Sequence, residues 1–237
     1  MRAIPWFSFL PPLESPLEPT PRAKTDSGAS DQGKTDFLPA AGLHFLTPLY
    51  ELLSSPLLGG VWRSVVEDVC TLAPTGTSVV DLGCGPATVL SRLAERRPDL
   101  SLTGVDIDER ILAIAQRRLP SVRFLQGSID AVPLEEKSAD VVMTSMVFHH
   151  LKRALKPVAF HEALRIVKPG GRLLLCDFST PTNRRGAWIV GGLGKLERGI
   201  ARQGASQLLE IAASESLTLV PRWTCIGCIT QYEVKKK

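Results

Sequence analysis

From residue 77 onward the apolar positions fall into short runs separated by amphipathic stretches. The runs "TSVVDLG", "LSLTGVD", "VRFLQG", "ADVVMTS" and "GRLLLCDF" are nearly continuous in branched apolar residues, which predicts strands buried on both faces. Between them, "ATVLSRLAER", "DERILAIAQRRL" and "FHEALRIV" carry apolar residues at helical spacing. The alternation predicts a parallel sheet covered by helices on both faces. The end of the chain departs from this pattern. "SQLLEIAASE" reads as a helix, then "LTLVPRWT" and "CITQYEV" read as two strands with too few residues between them for a crossover. They must pair antiparallel, so the sheet is expected to end in an antiparallel edge.

Residues 40–72 also show helical spacing, interrupted by Pro48, Pro56 and the pair Gly59 and Gly60. Two or three short helices are expected there. Residues 1–36 are rich in Pro, Ser, Asp and Lys, repeat the triplet "KTD" and lack periodicity, and they read as a disordered tail. The expected organisation is thus a tail over 1–36 and one domain over 37–237, with a helical cap at 37–72.

Composition narrows the class. With 237 residues, 44% hydrophobic and 22% charged, the chain suits one soluble globular domain. A net charge of +4 does not point to nucleic acid. No apolar run approaches the roughly 18 residues of a membrane span. The opening "MRAIPWFSFLPPLESPLEP" is cut by Pro11 and Pro12 and does not read as a secretory signal. Five cysteines scattered through apolar surroundings fit free thiols in a reducing compartment, and a cytoplasmic location is expected.

The candidate chemistry centres on "VVDLGCGPATVL", residues 79–90. Gly83 and Gly85 allow a strand-to-helix turn to pass close to a ligand, and the following helix start presents free N–H donors. A dinucleotide fingerprint needs a third glycine where Thr88 stands. Asp81 weighs further against a phosphate ligand, because a carboxylate about 4 Å from a phosphate costs on the order of 1–4 kcal/mol. A cationic, phosphate-free nucleoside such as S-adenosylmethionine reverses that sign. Asp106 closes the second strand 23 positions after Gly83, near the spacing of about 20 at which an acid accepts ribose hydroxyls. Asp108 in "DER" suits a helix N-cap.

Together "VVDLGCGPAT", "GVDID", "FLQGSIDAVPLEEKSADVV", "FHHL" and "ALRIVKPGGRLLLCDF" resemble the class I S-adenosylmethionine-dependent methyltransferases, in the branch that methylates small molecules. The resemblance covers residues 77–180 in order. It implies a Rossmann-like open seven-stranded sheet, mostly parallel, with S-adenosyl-L-methionine as cofactor and a small-molecule methyl acceptor. Carried over position by position, Asp81, Gly83, Cys84 and Gly85 hold the methionine portion, Asp106 the ribose, and Ile107 lies beside adenine. The family's adenine-binding aspartate is replaced by Ser128, with Ile129 next to it. Ser145 and Met146 match the end of the fourth strand, beneath the reactive methyl. Tyr50 is a candidate to close over the cofactor, or equally a packing residue.

Other features admit plainer readings. His149 is the candidate catalytic base, and the alternative is that His149 and His150 cap the segment after strand four. Asp140 matches a position that tethers strand to loop. Cys225 and Cys228 form C-x-x-C at a hairpin, without a second pair of ligands, and no metal is expected. Residues 182–202 are basic and read either as a solvated helix face or as a lid with an appetite for acidic or lipid-linked substrates. Rival functions are methylation of a protein or RNA, a non-catalytic S-adenosylmethionine-binding module, and a nicotinamide oxidoreductase. The tetrapeptide "DPPY" expected of nucleic-acid amino methylation is absent from "TSMVFHHL", so no nucleic-acid acceptor is expected.

Overall fold

The computed structural model describes residues 47–196 and 205–236, with side chains described over 58–192 and 207–236. The expected tail 1–36 and residues 37–46 of the expected cap lie outside the described residues. Along the chain the elements are α1 (Thr47–Leu72), β1 (Ser78–Leu82), α2 (Thr88–Arg96), β2 (Ser101–Asp106), α3 (Glu109–Arg118), β3 (Arg123–Gln126) and β4 (Ala139–Ser145). A single 3-10 turn (Phe148–His150) precedes α4 (Leu155–Arg165), β5 (Val167–Phe178), α5 (Arg184–Leu196), α6 (Ala205–Ser214), β6 (Leu217–Cys225) and β7 (Ile229–Lys236).

The seven strands form one sheet in the order β3-β2-β1-β4-β5-β7-β6. Strands β1 to β5 are mutually parallel, and β7 runs antiparallel to both β5 and β6. The expected C-terminal hairpin is present. Within it β7 takes the inner place and β6 the outer edge, so the antiparallel strand is one position in from the rim. Its turn places Ile226 and Gly227 at positive φ and closes with Cys228 N–H donating to the Cys225 carbonyl at 3.2 Å.

Alternate residues of each central strand serve opposite cores. Val79, Val141, Met143, Leu174 and Cys176 pack with α1, α2 and α3, whereas Val80, Leu82, Val142, Leu173 and Leu175 pack with α4 and α6. This two-sided burial is why the strands read as unbroken apolar runs instead of alternating ones.

One expectation is corrected. Residues 47–72 form a single helix of 26 residues that continues through Pro56, Gly59 and Gly60. Pro48 sits in the first turn, where a missing N–H costs nothing. Leu58, Val61, Val65, Val66 and Val69 are buried in one cluster, and the burial outweighs the local breakers. Asp68 fixes the helix to the hairpin: its Oδ2 accepts from Trp223 Nε1 at 2.9 Å and Gln231 Nε2 at 2.8 Å and pairs with Arg222 Nε at 3.0 Å. Arg97 closes the helix's C-terminal end by donating to the carbonyls of Cys70 and Ala73, which otherwise lack intrahelical partners.

Candidate functional site

The strand order reverses at β1, which pairs with β2 on one side and β4 on the other. In an open parallel sheet a ligand crevice lies beyond the carboxyl ends at such a switch point. The glycine turn stands there. Gly83 and Cys84 N–H groups donate to the Val105 carbonyl at 2.8 and 3.1 Å, and Gly85 N–H donates to Asp106 Oδ2 at 2.9 Å. The turn is therefore pinned to the end of β2.

Each glycine has its own reason. Gly83 has φ +73°, and a Cβ there would lie 2.5 Å from Val147 Cγ2. Gly85 has φ +54°, and a Cβ there would meet nothing within 4 Å, so its outer side borders open space. Ala87, also left-handed at φ 64°, precedes α2 without a side-chain cap on the helix's first N–H groups.

Asp81 is buried, and its Oδ1 has no hydrogen-bond partner among the described residues. Burial, with the Asp106 carboxylate adding to it, pushes Asp81 up to about 7. An orphaned buried carboxylate is costly unless something pairs with it. Asp106 is itself raised by burial, against the pull of hydrogen bonds from Asp108 and Gly85. Its Oδ1 accepts from Asp108 N–H at 3.0 Å. Each oxygen thus holds one backbone donor and keeps a lone pair for a further one. Asp108 caps α3, accepting from the N–H groups of Arg110 and Ile111.

The remaining expected residues gather at the same end of the sheet. Ile107 follows β2, while Ser128 and buried Ile129 follow β3. The Ser128 hydroxyl donates to Asp130 Oδ1, an acid two residues on in the same loop. The sequence reading missed Asp130; an acid within the same short loop was the available signal. Cys84 is buried, and burial, with Asp81 adding to it, drives its thiol pKa upward. At the end of β4, Ser145 Oγ is buried without a partner among the described residues, and Met146 has φ 60° with its N–H donating to the Cys176 carbonyl at 2.8 Å. A non-glycine residue held there marks a constrained position. Tyr50 falls in α1, and its side chain lies outside the described residues.

His149 gains a partner that the sequence did not disclose. Its Nδ1 lies 2.8 Å from Asp177 Oδ1 at the end of β5, and its backbone N–H donates to Asp177 Oδ2 at 3.1 Å. Both side chains are buried, and Phe178 meets the imidazole edge-on at 5.0 Å. Burial pushes Asp177 up, yet the His149 charge and the hydrogen bonds outweigh it and hold the carboxyl below its ordinary value. An ionised carboxylate only accepts, so Nδ1 carries the proton that faces Asp177. The His150 ring lies 3.9 Å from that of His149 with the planes tilted by 42°, and burial, then His149, lowers His150 to about 4. Lys156, buried in α4, has its ammonium pKa lowered by burial against the Asp177 charge. In sequence, Asp177 was merely the "D" of "LLLCDF".

The expectation that Asp140 is a tether agrees with the structure. Asp140 sits at the opposite, amino end of β4, where its Oδ2 accepts from Ser78 N–H, Ser78 Oγ and Lys168 Nζ. Those partners, Lys168 first, lower it to about 2. All five cysteines are free, and the described residues hold no group of three or more His, Cys, Asp or Glu side chains suited to a metal. A cavity of about 450 Å³ between α1 and α2, lined by Arg63, Glu67, Arg92, Glu95 and Arg96 among others, includes no residue of the glycine turn.

Residues 79–171 match the family model described as a methyltransferase domain. A demethylmenaquinone methyltransferase of Renibacterium salmoninarum is 31% identical over 146 residues, covering 60% of each chain. An uncharacterized 37.1 kDa protein in a transposon of Streptomyces fradiae is 37% identical over 118 residues, covering 48% of this chain and 33% of that protein. The chain therefore spans between a third and three fifths of the length of these relatives. Among solved structures, magnesium protoporphyrin IX methyltransferase of Synechocystis with bound S-adenosylhomocysteine aligns with TM-score 0.58 at 19% identity, over 75% of this chain and 83% of that one. A SAM-dependent methyltransferase of Aquifex aeolicus aligns with TM-score 0.56 at 17% identity, over 71% and 88%. The match over residues 79–171 supports the resemblance to the class I S-adenosylmethionine-dependent methyltransferases, and the solved structures share the fold.

Proposed function

We propose that the protein binds S-adenosyl-L-methionine and transfers its methyl group to a small-molecule acceptor in the cytoplasm. The observation that carries this reading is Asp81: a buried carboxylate with an orphaned oxygen, beside a glycine turn whose open side and pinned backbone suit a cationic ligand without phosphate. The same carboxylate disfavours a dinucleotide. When bound, the cofactor supplies an activated methyl group on a sulfonium, which is the difficult part of the chemistry.

The chain's own residues bind, orient and deprotonate. Asp81 receives the ligand's ammonium, Asp106 the ribose hydroxyls, and Ile107, Ile129 and the Ser128–Asp130 pair flank the adenine. Met146 and Ser145 form the floor at the end of β4. His149 Nε2 is the base that takes a proton from an acidic acceptor group, and Asp177 is the positioning residue that fixes its tautomer. Holding acceptor and donor in line contributes up to roughly 7–11 kcal/mol of the barrier. Five free thiols support a reducing compartment, and no helix among the described residues is long and apolar enough to cross a membrane. The relatives named for demethylmenaquinone and magnesium protoporphyrin IX support the small-molecule class.

Calorimetry with S-adenosylhomocysteine and with NADH, followed by radiolabelled methyl transfer into a metabolite extract, tests the proposal. Heat with the first ligand alone and a labelled small product are expected. Binding without any labelled product selects the non-catalytic module, label in protein or RNA selects a macromolecular acceptor, and silence with S-adenosylhomocysteine on folded protein rejects the reading.

A further inference from the structure

The two segments that leave the carboxyl ends of β4 and β5 share a charge pattern that the cofactor site does not use. Residues 146–161 and 179–196 contain no Asp or Glu, yet carry Lys152, Arg153, Lys156, Arg184, Arg185 and Lys195. Of these, Lys152, Arg153, Arg184 and Arg185 are exposed. Helix α5 starts after the five-residue connection 179–183, so its first turn stands at the same end of the sheet as Asp177.

The helix is seated firmly on one side. Asn183 Oδ1 accepts from Gly186 N–H at 2.8 Å, and Thr182 N–H donates to the Gly227 carbonyl of the hairpin turn at 2.8 Å. A Cβ on Gly186 would lie 2.2 Å from that carbonyl oxygen. Ile189 and Val190 pack against the core. The other side presents Arg184, Arg185 and Trp188, and Trp188 is 81% exposed. Trp188 lies three and four positions beyond the arginines, so the three side chains share one face of the helix.

Two features of this face are unfavourable in the protein alone. The arginines occupy the first turn, where the helix dipole repels cations and no acid offsets them. A large aromatic ring is left in water. Both costs are relieved by one environment, an anionic interface into which a tryptophan inserts while the guanidinium groups meet phosphates.

We propose that the outer face of α5 is a docking surface for an anionic lipid bilayer. The occupant follows from charge complementarity together with the exposed indole: the two exposed arginines at the start of α5 select a negative surface, and the indole selects the headgroup boundary over a purely polar polyanion. The docking stands independently of the methyl-transfer reading. Joined to that reading, it directs the site end of the sheet at the bilayer and makes a lipid-embedded acceptor the favoured class.

The test uses the full chain with vesicles of phosphatidylcholine alone and of phosphatidylcholine containing about one third phosphatidylglycerol. Sedimentation with the anionic vesicles, weakened by salt, and a blue shift of tryptophan emission are expected. R184Q/R185Q should partition about thirtyfold more weakly, which is ~2 kcal/mol for two arginines at 1.4 kcal/mol per tenfold. W188F should lose the blue shift and retain the salt dependence. These positions are exposed, and an unchanged thermal transition checks that both variants fold. Equal binding to neutral vesicles overturns the proposal, as does anionic binding that the double variant leaves intact. So does binding to single-stranded RNA or polyglutamate in the absence of vesicle binding.

Discussion

Asp106 shows how one side chain can pin two backbone segments and still leave acceptor capacity for a ligand. It holds the backbone of the glycine turn and of the α3 approach through one oxygen each, and the ribose would take the lone pairs that remain. D106A should weaken S-adenosylhomocysteine binding by about 1–3 kcal/mol, read by calorimetry, with circular dichroism confirming the fold; an unchanged affinity would remove the ribose assignment. The His149–Asp177 pair makes a separate prediction. D177N should lower turnover about a hundredfold, alter the shape of the pH–rate profile and leave the cofactor dissociation constant unchanged. A D177N enzyme with the wild-type profile and only a lowered melting temperature would make Asp177 purely structural.

At the scale of elements, α1 is held less by its own propensity than by what it covers. Pro56 and the adjacent glycines predicted a break, yet the buried row from Leu58 to Val69 and the Asp68 latch keep one helix. The latch is a testable contribution. D68A strands Gln231 and Trp223 donors in a mostly buried setting, and it should cost about 2–4 kcal/mol of stability in urea unfolding. D68N, which keeps an acceptor oxygen, should recover part of it. A loss no larger than that of an exposed substitution on α1 would show that apolar burial alone seats the helix. The hairpin follows similar logic: its existence came from a connection too short for a crossover, but the inner place of β7 came from its pairing with β5.

For the whole molecule, Asp81 couples stability, ligand and pH. Its pKa is raised from 3.8 to about 7 by burial and the Asp106 charge, so the folded chain retains a proton that the unfolded chain releases. The unliganded protein should therefore lose stability as pH rises from about 4 through about 7. A ligand ammonium at Asp81 favours the ionised form and reverses the sign, so S-adenosylhomocysteine, which carries one, should bind more tightly, and raise Tm more, at pH 8 than at pH 6. D81N should flatten both trends in thermal shift and calorimetry; a wild-type slope in that variant would place the titrating group elsewhere. Much of this was legible in the chain. Periodicity yielded the strands and helices, connection length yielded the hairpin, and the spacing of Asp81, Gly83, Gly85 and Asp106 located the turn, because these are local properties of backbone and pattern. Asp130 and Asp177 were not legible as partners of Ser128 and His149. The His149–Asp177 pairing joins residues 28 apart in sequence, and only the parallel register of β4 with β5 brings them together. The orphaned oxygen of Asp81 and the unpaired face of α5 belong to the same class: burial and exposure are sums over neighbours from the entire chain, and they exist only once the sheet has assembled.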